Sequence, residues 1–292
     1  MSASCTGGSR RGPDEEGGRT ASNGVRRPDR AMTWFPLSDS RWPSRHWLGC
    51  ATLIGGNRIF ARISPDGDRS VPPILMLHGL VVSGSYFRPV ARHLDETYRI
   101  YIPDLPGVGH SDAQRHHDLG ELVDLLDAWM DAHTLERVIV VGNSLGCQVG
   151  TLLAVRYPHR VASLVMVAPT SDPSTCGPIG MIVRGLIDIP RERFSLWRIW
   201  IPDFFLTGPV RAVRSLMLTL RDPQLERLPL VTQPVVAVAG ERDPICPVPW
   251  VRRFSELVGR GTCVVVPAAA HAMNYSAPGD LARVISELVE RR

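Results

Sequence analysis

A serine lies at the centre of the pentapeptide Gly142-Asn143-Ser144-Leu145-Gly146. The pentapeptide directly follows the β-branched stretch 138–141 and precedes a stretch, 147–157, that predicts a helix. In so tight a strand-to-helix turn the serine backbone is strained, and the hydroxyl is exposed near the positive end of the helix dipole. The pattern therefore predicts a nucleophile. The alternative is an ordinary connecting turn, because the same five-residue pattern also occurs by chance.

Ser144 needs two partners before it can act as a nucleophile. An imidazole must take the hydroxyl proton, and a carboxylate must orient that imidazole and stabilise its cation. Asp243 and His271 each come shortly after an apolar stretch that predicts a buried strand. Since the carboxyl ends of parallel strands meet at one edge of a sheet, both residues are expected near Ser144. Their chain order, Ser144, Asp243, His271, is one in which such triads occur.

The sequence leaves alternatives to Asp243 open. It precedes a proline, and an Asp-Pro pair often only forms a turn. Glu241 and Asp172 are rival acids, the first two residues earlier and the second in the segment after the preceding strand. His271 has small neighbours that let its ring reach inward. Four other histidines lie in polar stretches that are expected to be solvated: His116, His117, His133 and His159.

Two backbone N–H groups are needed to stabilise the negative oxygen that forms when a nucleophile attacks a carbonyl. The residue after the nucleophile, Leu145, is expected to supply one. The other is expected from the turn after the first core strand, where Gly79 permits close backbone approach and Leu80, or alternatively Val81, donates. His78 is expected to brace this turn rather than to transfer a proton.

Short apolar runs alternate with amphipathic stretches from Trp47 onward, which predicts a mainly parallel sheet with helices on both faces. The first two strands are expected to form an antiparallel hairpin closed at 55–57. The predicted strands are 48–53, 58–63, 74–77, 100–102, 138–141, 164–167, 235–239 and 263–266. The predicted helices are 86–94, 119–132, 147–157, 248–258 and 280–290.

Residues 172–229 interrupt this alternation with a segment longer than a strand-to-helix connection needs. The segment carries aromatic residues and methionines among several arginines, and we interpret it as a helical lid above the strand ends. Trp197, Trp200 and Phe204 are its predicted substrate-binding residues, and they imply an apolar substrate. The alternative is an ordinary pair of surface helices, and the arginines fit either a substrate carboxylate or a solvated face.

The composition is that of an ordinary globular protein, with 44% hydrophobic and 21% charged residues among 292. All 33 basic residues are arginine, which excludes a catalytic lysine. The net charge is +4, and residues 1–31 hold six arginines against four acidic residues, so no nucleic-acid surface is indicated. No apolar run reaches the roughly 20 residues of a membrane span. Six cysteines without paired spacing predict free thiols and a reducing, cytoplasmic location.

Three regions are predicted along the chain. Residues 1–45 are rich in Gly, Ser, Arg and Pro and are expected to form a disordered tail without a signal-peptide core. Translation could start at Met1 or at Met32, where the composition changes. Residues 46–171 and 230–292 are expected to form the core, and residues 172–229 the lid.

Several of these motifs together resemble the α/β-hydrolase superfamily in order and approximate spacing. They are His78-Gly79, the turn-rich loop 104–112, the pentapeptide 142–146, Asp243 and His271. The resemblance extends from about Trp47 to the C-terminus. It implies an α/β fold with an eight-stranded, mostly parallel sheet, helices on both faces and a lid between strands six and seven. It also implies a Ser144–His271–Asp243 triad with no metal and no organic cofactor.

The expected activity is that of a serine hydrolase, which cleaves a carboxylic ester or thioester with an apolar part through an acyl-enzyme. One alternative is a C–C bond hydrolase of vinylogous diketones or a cofactor-free perhydrolase. The segment Leu80-Val81-Val82-Ser83-Gly84 argues against the diketone reaction, because such hydrolases resemble one another in having a glycine- and proline-rich turn there. Another alternative is a non-catalytic binding protein. The expected partner is a small apolar ester-like substrate, and no oligomeric state is predicted.

Overall fold

Nine strands form one sheet within the part of the chain that the computed structural model describes, residues 1, 32–37, 47–113, 115–170 and 177–291. Their order across the sheet is 1-2-3-5-4-6-7-8-9. The neighbours among strands 1, 2, 3 and 5 pair antiparallel, and all other neighbours pair parallel. The bounds are β1 Met32–Pro36, β2 Leu48–Ile54, β3 Asn57–Ser64, β4 Ile74–Leu77, β5 Ile100–Pro103, β6 Val138–Ser144, β7 Val161–Pro169, β8 Val235–Gly240 and β9 Gly261–Val266.

The central strands bury both of their faces. Every residue of β4, β6 and β7 is buried, as their unbroken apolar runs require when helices cover both sides of a parallel sheet. The predicted α/β fold with a mostly parallel sheet is confirmed. The helices are α1 Arg88–Ala91, α2 Leu119–Ala132, α3 Leu145–Arg156, α4 Pro178–Asp188, α5 Trp197–Thr207, α6 Pro209–Arg221, α7 Gln224–Arg227, α8 Val248–Glu256, α9 Met273–Ser276 and α10 Pro278–Glu290.

The predicted hairpin of β2 and β3 is present. Gly55 and Gly56 have φ values of +53° and +78°, the two positive values that a tight two-residue turn between antiparallel strands needs. Helix α2 likewise begins where its sequence predicts. The side chain of Asp118 accepts a hydrogen bond from the Glu121 N–H at 2.8 Å, and the Glu121 carboxylate accepts one from the Asp118 N–H at 3.0 Å.

The sheet has one strand more than the eight that were expected, and the additional strand is β1. It lies within residues 1–45, which were predicted to be a loose tail, and it pairs with β2 from Met32 to Pro36. The ring of Phe35 stacks on Phe60 at 5.9 Å between centroids, and Gly49 leaves room beneath it. The core sheet therefore begins before position 46. The rest of the predicted tail, residues 2–31 and 38–46, lies outside the described residues.

Four helices, α4 to α7, lie between β7 and β8, and we call residues 177–230 the inserted helices. The amide of Gln148 in α3 donates to the carbonyl of Thr219 at 2.8 Å, and the Thr170 hydroxyl donates to Gln224 at 2.8 Å, so these helices are tied to the core at their C-terminal end. Residues 171–176, with the rival acid Asp172, are outside the described part. No helix in the described ranges is long and apolar enough to cross a membrane.

Two histidines that were expected to be solvated are buried, His117 and His133. The His133 ring packs against Trp129 at 4.3 Å between centroids, and its Nε2 lies 2.9 Å from the Thr52 hydroxyl. Burial lowers the pKa of His133 to about 4, so the ring is neutral. The prediction was wrong because polar neighbours along the chain do not show which way a side chain points.

A buried ion pair joins the strand β3 to the loop after β5. Nη1 of Arg62 lies 2.6 Å from Oδ1 of Asp104, and both side chains are at most 3% exposed. The same carboxylate accepts hydrogen bonds from the N–H groups of Gly84 and His110 at 2.8 and 3.0 Å. Burial alone would raise the pKa of Asp104, but the charge and hydrogen bond of Arg62 outweigh it and lower the pKa.

We expect Asp104→Asn to lower the free energy of unfolding by about 3–5 kcal/mol, because it removes the carboxylate charge that lies 2.6 Å from the buried Arg62 guanidinium. The control is Asp112→Asn, which removes a carboxylate from the exposed pair with Arg58 and should cost less than about 1 kcal/mol. Urea unfolding of both variants provides the measurement. Equal losses would contradict the importance of the buried pair.

Candidate active site

Ser144 lies at the junction of β6 and α3 in a strained backbone conformation. Its φ is +52° and its ψ is −115°, a region that non-glycine residues rarely adopt. A side-chain carbon on Gly146 would overlap the carbonyl oxygen of Leu77, and one on Gly142 would lie 2.5 Å from the carbonyl oxygen of Gly146. The two glycines thus let the first turn of α3 pack directly on the sheet, and this packing fixes the turn at Ser144.

His271 and Asp243 lie within hydrogen-bond distance of each other. Nδ1 of His271 lies 2.9 Å from Oδ2 of Asp243, whose side chain is fully buried. Oδ1 of Asp243 accepts hydrogen bonds from the N–H groups of Ile245 and Cys246 at 2.7 and 2.9 Å. The rival Glu241 instead accepts from the Ala268 N–H at 2.8 Å and is exposed. Of these two acids, Asp243 is therefore the one that hydrogen-bonds to the imidazole.

Ser144 and His271 line the same cavity. Because Nδ1 of His271 faces Asp243, Nε2 is the nitrogen left to meet the serine hydroxyl. No hydrogen bond joins these two side chains in the described part of the chain. Such contacts are often long without substrate and tighten when it binds.

The cavity has a volume of about 480 Å³ and a mainly apolar wall. The three residues predicted to bind substrate, Trp197, Trp200 and Phe204, all line it. They come from α5, one of the inserted helices. The ring of Trp200 lies 5.4 Å from both Trp197 and Phe204, so the three form one aromatic cluster. The cavity is large and apolar enough for an acyl chain or an aromatic ring.

The predicted oxyanion donors lie on two segments in close contact. Leu80 lines the cavity, and a side-chain carbon on the preceding Gly79 would meet Oδ1 of Asn143 at 3.1 Å. Leu145 is the first residue of α3, so its N–H belongs to the helix end that has no acceptor within the helix. The alternative donor, Val81, has a φ of +57°, so the turn after Gly79 is strained as well.

A polar network that the sequence analysis missed connects three segments of the site. The Tyr86 hydroxyl accepts from the Gly79 N–H at 2.9 Å and donates to Oδ1 of Asn143 at 2.8 Å. The Asn143 amide in turn donates to the carbonyl oxygen of His271 at 3.3 Å. His78 braces the turn as expected, since its Nε2 accepts from the Leu105 N–H at 2.7 Å. The sequence feature that could have indicated this network is the asparagine directly before Ser144.

Two carboxyl groups from the inserted helices contact the His271 loop, and they too were missed. Oδ1 of Asp188 accepts a hydrogen bond from the His271 N–H at 3.4 Å. Oε1 of Glu192 accepts one from the Ala272 N–H at 2.6 Å. Both residues line the cavity. No motif marks them, because their place beside His271 depends on how the inserted segment folds.

Burial and the neighbouring charges shift three pKa values in the site. Burial alone would lower the pKa of His271, but the charge and hydrogen bond of Asp243, followed by the charges of Asp188 and Glu192, raise it to about 9. Burial raises the pKa of Asp188 to about 6 and that of Glu192 to about 7. Both carboxyls are thus ionised in the range where His271 titrates, and they stabilise its cation.

One group of side chains in the described ranges has the spacing of a metal site, namely Asp243, Cys246 and His271, whose ligand atoms lie within 4.8 Å of one another. Their atoms have other partners. Both carboxylate oxygens of Asp243 already accept the hydrogen bonds described above. The Cys246 thiol donates to the Pro169 carbonyl at 2.7 Å. Burial raises the pKa of Cys246 well above its usual value, so the thiol stays protonated. This donor set therefore fits a metal ion poorly.

The fold and this geometry agree with the comparisons with known proteins. Residues 72–186 match the family model of the α/β-hydrolase fold. The chain belongs to the α/β-hydrolase family and is an enzyme of it.

Among its relatives, a pimeloyl-[acyl-carrier protein] methyl ester esterase of Shewanella woodyi is 41% identical over an alignment of 231 residues, and the match covers 68% of this chain and 86% of the relative. The protein of the same name from Chromobacterium violaceum is 28% identical over an alignment of 246 residues, and the match covers 75% of this chain and 94% of the relative. The solved structure of E-2-(acetamidomethylene)succinate hydrolase matches with a TM-score of 0.71 at 21% identity, over 84% of this chain and 100% of that chain, and shares the fold.

We expect Asp188→Asn or Glu192→Gln to lower the pKa of His271 below about 9, since each removes a negative charge that stabilises the imidazolium. The imidazole then loses its proton at a lower pH. The measurement is an NMR titration of the His271 ring. Glu241→Gln is the control, because it removes an equal charge from the neighbouring exposed loop and should change the pKa little. An unchanged pKa in both cavity variants would show that these carboxyls do not act on His271.

Proposed function

We propose that the chain is a serine hydrolase that cleaves a carboxylic ester with an apolar part through a Ser144–His271–Asp243 triad and an acyl-enzyme. The observation that carries this proposal is the hydrogen-bonded pair of buried Asp243 and partly exposed His271, whose ring lines the cavity that also contains Ser144. A strained serine at a helix N-terminus beside an oriented imidazole is the arrangement that nucleophilic acyl transfer needs.

In the first half of the reaction, Nε2 of His271 takes the proton of the Ser144 hydroxyl as Oγ attacks the carbonyl carbon. The N–H groups of Leu80 and Leu145 stabilise the negative oxygen of the tetrahedral intermediate. Asp243 stabilises the imidazolium without taking its proton. The imidazolium then protonates the leaving alcohol, which departs and leaves the acyl group on Oγ.

In the second half, His271 takes a proton from water as the water oxygen attacks the acyl carbon. Collapse of the second intermediate returns the proton to Oγ and releases the acid. The inserted helices act as the lid in this proposal, because they supply the aromatic wall of the cavity and, through Asp188 and Glu192, hold the His271 loop.

The cavity and the relatives both bear on the substrate. The wall accommodates an apolar acyl or alcohol group, since the aromatic cluster of Trp197, Trp200 and Phe204 borders the space above Ser144. The two relatives described above are named for their action on a methyl ester, which favours an oxygen ester over a thioester or a C–C bond as the scissile group.

We expect Ser144→Ala and His271→Ala to lower p-nitrophenyl ester hydrolysis by at least about a thousandfold, because each removes a member of a unit that acts together. A fluorophosphonate should add once to the wild type, on Ser144, and to neither variant, as measured by intact-protein mass spectrometry. Ser163→Ala is the matched control, since this serine is also buried but lies within β7, and it should keep both the adduct and the activity.

Two results would contradict the proposal. Ester turnover that persists in a folded Ser144→Ala variant would exclude this serine as the nucleophile. Rapid cleavage of a vinylogous diketone by a wild type that leaves simple esters intact would assign the same site to C–C bond hydrolysis. Thermal melting of each variant shows whether it is folded.

A further inference from the structure

The inserted helices expose an unusual amount of apolar surface. On α4, the large apolar residues Ile179, Ile182, Val183, Leu186 and Ile187 are 44–78% exposed. Their spacing of three and four residues places them on one face of the helix. Single exposed apolar residues are common on protein surfaces, but a contiguous apolar face indicates a contact with another apolar phase.

Three more exposed apolar residues lie in the turn before α5 and in the C-terminal half of α5. Phe194 is 83% exposed, Phe205 76% and Leu206 65%. None of the three lines the cavity, so they do not serve the substrate wall described above. We call these residues and the apolar face of α4 the outer face.

The outer face is continuous with the entrance of the cavity. Ile182, Leu186, Ile189 and Trp200 are each more than a third exposed, and each also lines the cavity. An apolar molecule could therefore pass from a phase that covers the outer face into the cavity without crossing water. A polar protein partner would gain nothing from this continuity, whereas a lipid layer would.

The exposed charges of the inserted helices are mostly positive. Five arginines of the inserted helices are exposed, against one exposed acidic residue, Glu226. Of the other acids, Asp188 and Asp203 are buried, and Asp222 pairs with Arg227. The exposed arginines are Arg191, Arg193, Arg198, Arg214 and Arg221. A second copy bound through the same face would bring these like charges together, which argues against a twofold dimer here.

We propose that the outer face docks on an anionic lipid bilayer, with the entrance of the cavity against the lipid. Phe194, Phe205 and the apolar face of α4 enter the boundary between headgroups and acyl chains, and the arginines bind lipid phosphates. The contact is peripheral, since none of the described helices can span a membrane. It does not depend on the reaction proposed for Ser144.

The test is flotation of the full chain with vesicles. The wild type should float with vesicles of equal parts phosphatidylglycerol and phosphatidylcholine, and high salt should weaken this binding. With vesicles of phosphatidylcholine alone, the protein should remain in the bottom fraction. The variant Phe194→Ser/Phe205→Ser should bind at least about tenfold more weakly than the wild type, because it loses two aromatic groups that enter the lipid. Leu53→Ser, which changes an exposed apolar residue of β2, is its control.

A second pair of variants tests the charges. Arg193→Gln/Arg198→Gln should weaken binding to the anionic vesicles by about tenfold or more, at roughly 1 kcal/mol for each arginine near the surface. Arg252→Gln/Arg253→Gln removes the same charge from exposed positions of α8 and should bind as the wild type does. Hydrolysis of a water-soluble ester by the Phe194→Ser/Phe205→Ser variant should stay at the wild-type rate, so vesicle binding and catalysis are measured separately.

Three results would overturn the proposal. The wild type could fail to float with the anionic vesicles. The outer-face variants could bind as tightly as their controls. A concentration-dependent dimer in analytical ultracentrifugation that Phe194→Ser/Phe205→Ser abolishes, without vesicle binding, would assign the outer face to a second copy of the chain.

Discussion

The close packing of α3 on the sheet is the constraint on which the site depends. Gly146 lies against the carbonyl of Leu77, and no larger residue fits there. This contact leaves Ser144 only a strained turn, and it brings the end of β4 and the turn at Gly79 beside the serine. The proposed nucleophile, one proposed oxyanion donor and the helix end thus take their places from one steric condition, which glycine alone satisfies.

The other residues of the site are held in place by the hydrogen bonds that their buried polar groups require. Asp243 is fully buried, and its three hydrogen bonds compensate for the loss of water. Tyr86 and Asn143 meet the same requirement between the strand ends. A carboxylate held in this way cannot turn to another partner, and so the orientation of the His271 ring is fixed before any substrate enters.

Sequence reasoning succeeded where a local pattern determines the structure. The apolar runs of β4, β6 and β8 and the glycine pair of the hairpin are such patterns. It failed for β1, whose exposed side chains show no alternation, and for His133, whose burial depends on the distant Trp129. Asp188 could not be found beside His271 because 83 positions separate the two, and their contact is a result of the tertiary fold. The triad assignment and the lid remain predictions.

The hydrogen bonds that the His271 loop donates to the inserted helices have a thermodynamic consequence. Asp188 and Glu192 raise the proton affinity of His271 while they are in contact with its loop, and linkage is reciprocal. Protonation of the imidazole must therefore strengthen that contact by the same free energy, and loss of the proton must weaken it. Contact between the inserted helices and the His271 loop is therefore coupled to the ionisation of His271 in a single equilibrium.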